Sequence, residues 1–206
     1  MLKNEKIWQF LDGLSDSTPT PGGGSAAAMA GAMGASLVSM VARLTITNEK
    51  YAHVRKDMKK ILTSSERIRQ NLVQLIDDDT DAYKHVMQAY RMPKDDVKKR
   101  SAAIQKATRK ATIIPFNVAN LSLQVLELAD AVSTKGMKNA VSDVGVGAAL
   151  AHAAVHGAVY NVRINLKSIK DERFAKIMET DVSEILGIAA ALSKKIDASV
   201  HQIITQ

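Results

Sequence analysis

Gly22, Gly23 and Gly24 run directly into Ser25 and a stretch of small residues, Ala26 to Ser36, behind a turn held by Pro19 and Pro21. The prolines fix φ and the glycines remove every Cβ, so bare backbone precedes the helix, and Ser25 is expected to cap its start. An uncovered helix N-terminus aims unpaired N–H groups and the positive end of the dipole at solvent, which suits anions and polar ligands. A tight helix entry uses the same residue types. No P-loop is present, since Ala26, Ala27 and Ala28 follow Ser25 where a Lys and a Ser or Thr are needed. A dinucleotide fingerprint is excluded as well, because Asp12 to Thr20 is polar and turn-like where a β-strand is required.

The most informative acid is Asp79. Val54, Met58, Ile61, Leu62, Ile68, Leu72, Leu75 and Ile76 form an apolar seam spaced by threes and fours, and the seam resumes at Tyr83, Val86, Met87 and Tyr90. Asp79 takes the inward position between the two halves, where a carboxylate costs several kcal/mol unless it is hydrogen-bonded. Either it does chemistry or the helix breaks at Asp77 to Asp81. Asp77, Asp78 and Asp81 are expected on the outer face. Asn161 and Asn165 lie one turn apart in an apolar helix end and are suited to hydrogen-bonding a loop or a heterocycle. Ser142 and Asp143 at another helix start fit either a cap and dipole-compensating acid or a site. His152 and His156 have metal-ligand spacing but no nearby acid to complete a set, so no metal is expected.

Five or six helical segments and no strand are expected to position these groups: Asn4 to Leu14, Ser25 to Thr47, Tyr51 to Tyr90, Asp95 to Ala131, Asp143 to Leu166 and Asp171 to Thr205. The composition agrees, with aromatics at 4% and Pro rare, and residues 1–206 are read as a single all-α domain. Two of the helices are built of Ala and Gly. Ala27, Gly31 and Ala35 recur every fourth position in the first, and Gly145, Gly147, Ala148, Ala151 and Ala154 populate the second. Smooth faces allow close backbone approach, so both are placed at the centre of a multi-helical up-and-down bundle, with close packing to a second subunit also suited to them. Asp95 is expected to cap the fourth segment, Pro115 to kink or break it, and Ser133 to Asp143 to form a polar loop.

The formal charge is +7, concentrated between Arg91 and Lys110, which favours acidic partners. Nucleic acid is not expected, because no aromatics are interleaved with that segment and no RNP or zinc-finger motif occurs. The absence of cysteine excludes a disulfide frame and thiolate chemistry. No signal peptide is read at the N-terminus, and the run Ala26 to Ala42 is taken as too short and too weakly apolar to span a membrane. A cytoplasmic location is expected.

Together, Pro-Thr-Pro-Gly-Gly-Gly-Ser with its small-residue helix, Asp79-Thr-Asp-Ala-Tyr83, Tyr90-Arg-Met-Pro93-Lys94, Asn139 to Asp143, and Asn161-Val-Arg-Ile-Asn165 resemble the cyclodeaminase/cyclohydrolase family. That family comprises the cyclodeaminase domain of formiminotransferase-cyclodeaminase and stand-alone bacterial methenyltetrahydrofolate cyclohydrolases. The resemblance spans the whole chain and implies an all-helical homodimer acting on tetrahydrofolate derivatives, with no tightly bound cofactor and no formiminotransferase domain. Such chemistry needs a carboxylate beside a cationic carbon, and Asp79 on the seam and Asp143 at the small-residue helix start are the candidates for that role. Pro21, Gly22, Gly23, Gly24, Ser25 and Tyr83 would line the folate groove, with Ser142, Asn139, Asn161 and Asn165 at pterin edges or the loop. Lys94, Lys138 or Arg91 would meet the glutamate tail, including a polyglutamylated one. Cyclohydrolase activity is expected first and formiminotetrahydrofolate cyclodeaminase second. A folate-binding helical protein without turnover, or a basic nucleic-acid binder, is the alternative of a different class.

Overall fold

In the computed structural model, which describes residues 1–205, six α-helices carry the fold: α1 (Ile7–Ser15), α2 (Gly23–Thr47), α3 (Arg55–Tyr90), α4 (Val97–Lys135), α5 (Val141–Leu166) and α6 (Glu172–Ile204). Short 3-10 turns at Leu2–Asn4, Glu49–Val54 and Lys138–Ala140 complete the described residues, among which there is no strand. Consecutive long helices run antiparallel. Ser39 of α2 meets Ser65 of α3, Lys135 at the end of α4 meets Asp57 near the start of α3, and Gly145 near the start of α5 faces Val200 near the end of α6. Helices α2 to α5 form a closed four-helix ring, and α6 packs outside it on α4 and α5.

The small residues set the spacing at the centre. A Cβ on Gly34 would stand 2.7 Å from the carbonyl oxygen of Gly147, and one on Gly147 would stand 3.2 Å from that of Gly34. Backbone therefore touches backbone where α2 crosses α5, a contact that no larger residue permits. Around this crossing the buried core is aliphatic, with Val38, Met58, Leu72, Ile76, Leu126 and Ile196 almost fully enclosed. By length and composition α2 and α4 would each suffice to cross a membrane, contrary to the expectation for the Ala26 to Ala42 run, because the helix extends to Thr47. In the folded chain more than half of the most apolar part of α2 is buried among the other helices.

Several local expectations are corrected. Gly22, not Ser25, is the N-cap of α2, and Ser25 is its third residue with its hydroxyl turned toward α3. Helix α3 is unbroken through Asp77 to Asp81, and Asp77 is buried instead of lying on the outer face. That stretch of α3 is packed by both α2 and α4, which widens its buried sector beyond the apolar stripe. Asp96, not Asp95, caps α4, its side chain accepting from the backbone N–H of Lys99. The same helix continues past Pro115 to Lys135, so the connection to α5 is only a few residues long. Ala140 occupies the N-cap of α5, leaving Ser142 and Asp143 inside its first turn with no side-chain capping bond. On α6, Ile177 has the spacing of an apolar seam with Phe174 and Ile185, yet it is half exposed.

Candidate active site

The glycine turn delivers α2 head-on to the side of α3. Ser25 donates its hydroxyl to Asp79 Oδ2 at 2.9 Å and also lies 3.1 Å from the Ile76 carbonyl oxygen, while its backbone N–H donates to the Asp79 carboxylate. Asp79 thereby sits at the positive end of α2. Gly24 is what makes the approach possible, since a Cβ there would fall 2.1 Å from Asp79 Oδ1 and 2.6 Å from its carboxyl carbon. The position tolerates no side chain while the carboxylate holds this pose.

Two effects compete at Asp79. Burial in the low-dielectric wall raises its carboxyl above the ordinary aspartate value, and the Ser25 hydroxyl and N–H pull it back without cancelling the rise. A carboxylate of this kind accepts a proton more readily than a surface aspartate. Its oxygens face a cavity of about 320 Å³. Pro19, Thr20, Gly22, Gly23 and Gly24 form one wall, Ala82, Tyr83 and Val86 of α3 a second, and Ala111 of α4 with Asn161, Ile164 and Asn165 of α5 close the rest. Asn161 uses its amide N–H on the Gly157 carbonyl, and Asn165 uses its own on the Ala111 carbonyl. Among the described residues, the amide oxygens of both side chains have no hydrogen-bond donor. The cavity thus offers one carboxylate, amide groups on the opposite wall and a backbone turn, with an apolar floor between them.

Of the residues singled out in the sequence, Gly22, Gly23, Gly24, Asp79, Tyr83, Asn161 and Asn165 line this cavity, and Ser25 stands directly behind Asp79. Asp143 does not reach it within one chain. It lies 18 residues before Asn161 on α5, about 27 Å along the axis at 1.5 Å per residue. Lys138, Asn139 and Ser142 are at that same far end. Lys94 lines a separate groove of about 560 Å³ with Tyr90, Arg100, Ser101 and Lys170, two turns of α3 beyond Tyr83. The lining residues not anticipated are Pro19, Thr20, Ala82, Val86, Ala111 and Ile164, whereas Pro21, expected in the groove, is not among the lining residues. Ile164 falls between the two asparagines in the sequence, which was a usable signal, whereas alanine on a helix carries none.

His152 and His156 stack edge to face with centroids 4.7 Å apart, and burial together with His156 lowers the pKa of His152. Among the described residues no group of three or more His, Cys, Asp or Glu side chains converges to hold a metal ion.

Comparison with known proteins bears on this geometry. The chain is 44% identical over 203 residues to a methenyltetrahydrofolate cyclohydrolase of Methylorubrum extorquens, covering 97% of this chain and 98% of that one. It is 29% identical to the formimidoyltransferase-cyclodeaminase of Sus scrofa over 90% of this chain, but spans only 35% of that longer protein. Its fold matches the crystal structure of a formiminotetrahydrofolate cyclodeaminase from Thermotoga maritima with a TM-score of 0.91 and 28% identity, covering 99% of this chain and all of the other. The family model described as formiminotransferase-cyclodeaminase matches residues 6–184. With that match running from α1 into α6, the chain belongs to the formiminotransferase-cyclodeaminase family.

Proposed function

We propose that the protein is a methenyltetrahydrofolate cyclohydrolase, converting the 5,10-methenyl bridge to a 10-formyl group in the Asp79 cavity. The observation that carries this is a partly buried carboxylate of raised basicity, held by Ser25 and facing a cavity with amide groups opposite. The similarity over nearly the whole length to a protein named for that activity supports the same choice. Water adds to the cationic bridge carbon, forming a C–O bond and neutralising the cation, while Asp79 takes the proton that water loses. The neutral adduct then opens as its C–N bond to the 5-nitrogen breaks. Asp79 returns its proton to that nitrogen, and the adduct hydroxyl proton leaves to solvent as the formyl C=O forms. Asp79 is anionic at the start and again at the end, and it stands beside the carbon while that carbon is cationic, so it also stabilises charge. Asn161, Asn165 and the Gly22 to Gly24 backbone hold the pterin, with Tyr83 at the rim.

Lys94, Arg100 and Lys170 in the neighbouring groove receive the glutamate tail. Arg100 is fixed there by donating to the Tyr90 carbonyl, and Lys170 lies 3.2 Å from Ser101. Lys138 and Arg91 are not part of this groove. Polyglutamylated substrate therefore binds more tightly than monoglutamate at low salt, and the advantage shrinks as salt screens it. Titrating both forms at two ionic strengths checks this, and equal affinities at low salt would remove the tail site. A homodimer in the cytoplasm with no tightly bound cofactor completes the proposal.

The anionic form of Asp79 is the one that accepts a proton, so turnover falls as pH drops through its raised pKa. Ser25→Ala removes a hydrogen bond that favours the anion, which raises that pKa further. The acid limb of the kcat profile is therefore expected to move to higher pH in Ser25→Ala, with the alkaline plateau less affected. An unmoved limb would mean that another group titrates. To separate the two reactions of the family, formiminotetrahydrofolate is supplied instead and ammonia release is followed. The proposal expects methenyl hydrolysis to exceed ammonia release by a wide margin, and the reverse would make the chain a cyclodeaminase.

A further inference from the structure

We propose that Pro115 is a positioning residue of the Asp79 cavity: it withholds a backbone N–H from the Ala111 carbonyl and so reserves that carbonyl for the side chain of Asn165. What Asn165 does for the substrate rests on the function proposed above, whereas how its amide is held does not.

Inside an α-helix each carbonyl oxygen normally receives the N–H four residues on. At Ala111 that donor would come from position 115, where proline has none. The Ala111 carbonyl is nonetheless paired, because the Asn165 Nδ2 group reaches it from α5, 54 residues away in sequence, and donates at 3.0 Å. Asn161, one turn earlier, is held differently, by the Gly157 carbonyl of its own helix at 2.8 Å. A side chain that crosses to the middle of another helix finds its best acceptor in a carbonyl whose helical donor is missing, and Pro115 leaves one such carbonyl at the cavity wall.

Proline also moves the acceptor. Its ring crowds the carbonyl four residues back and tips it off the helix axis. Thr112 adds to the distortion, since its buried hydroxyl donates to the Thr108 carbonyl at 2.9 Å, a bond pattern that bends helices. Thr108, Thr112 and Pro115 are all buried, so both devices act on the packed side of α4, with Ala111 between them.

The consequence for the cavity is an orientation. A carbonyl can only accept, so Asn165 must turn its NH2 group to Ala111, which leaves its amide oxygen for the cavity that Asn165 lines. With the anchor lost, the amide flips freely and presents a donor as readily as an acceptor. Pro115 thereby selects an acceptor at this point of the wall, matched to an N–H edge of a heterocycle.

Pro115→Ala restores the missing N–H, and Pro115→Val does so while refilling most of the volume of the buried ring. In either variant, once shown to be folded, KM for methenyltetrahydrofolate is expected to rise about three- to tenfold, the loss of one anchored hydrogen bond, with kcat changing much less. Asn165→Ala supplies the other edge of a double-mutant cycle, and in that background Pro115→Ala should add nothing to KM. An unchanged KM in the single variants, or effects that multiply in the double variant, would overturn the proposal. A second readout needs neither turnover nor a Pro115 variant. In protein labelled with ¹⁵N-asparagine, the Asn165 side-chain protons, identified by their loss in Asn165→Ala, are expected to exchange with solvent roughly tenfold more slowly than those of the exposed Asn71. That protection should disappear in the Pro115 variants. Equal exchange in the wild type, or protection kept after Pro115 is replaced, overturns the proposal whether or not the protein hydrolyses a folate.

Discussion

Replacing Asp79 by Asn is expected to lower kcat by about 10² to 10⁴, the range for losing a positioned proton acceptor, and to leave the melting temperature at or above that of the wild type. The two parts come from one cause. Burial opposes the charged form of Asp79, and the Ser25 donors at the start of α2 offset only part of that cost. An amide of the same shape keeps an acceptor for those donors and removes the cost of burying the charge. A residue present for structural reasons would behave in the opposite way, with turnover retained and stability lost. Thermal unfolding and steady-state kinetics on the same preparation distinguish the two. KM should change far less than kcat, since Asn161, Asn165 and the glycine turn still hold the pterin.

The second large effect is expected at Gly24. An added methyl group would stand 2.1 Å from Asp79 Oδ1, so in Gly24→Ala the carboxylate must rotate away from both Ser25 donors. Overpacking of this kind costs about 1–3 kcal/mol. Alanine in place of a helical glycine returns roughly 1 kcal/mol. The folded protein therefore survives with a modest fall in melting temperature, while turnover drops as far as in Asp79→Asn. Gly187→Ala is the control. Its Cβ would meet nothing within 4 Å, on α6 and away from the cavity, and both activity and stability should stay close to wild type. If the two alanine variants were equally active, Asp79 would not depend on the bare start of α2, and the geometry assigned to the carboxylate would be wrong.

Asp79 was legible in the sequence because an α-helix has a fixed period, and one carboxylate on the apolar line between Ile76 and Tyr83 stands out against it. The small-residue helices were legible for the same reason, since a run of Ala and Gly says how close a neighbour comes. What was not legible depended on the neighbours themselves. Ser25 has the composition of a cap, yet α3 passes close enough to take its hydroxyl, so Gly22 holds the cap position instead. Asp77 looked like surface charge because its own helix gives it an outward angle, and only the packing of α2 and α4 on either side of α3 buries it. Pro115 sits inside α4, which runs on to Lys135 without the break that was one of the two outcomes its sequence suggested. The cavity was legible only in part. The motif around Asn139 to Asp143 reads as belonging with Asp79, whereas the fold places it at the opposite end of α5 from Asn161, a separation that residue types alone do not reveal.

The most direct measurement is the initial rate at which the near-ultraviolet absorbance of the methenyl cation disappears on adding the purified protein, over a series of enzyme concentrations and against a buffer blank. Hydrolysis at the Asp79 cavity predicts a rate that rises in proportion to wild-type enzyme and falls to nearly the blank with Asp79→Asn. A wild-type rate equal to the blank at every concentration, with the protein folded, would contradict the cyclohydrolase assignment.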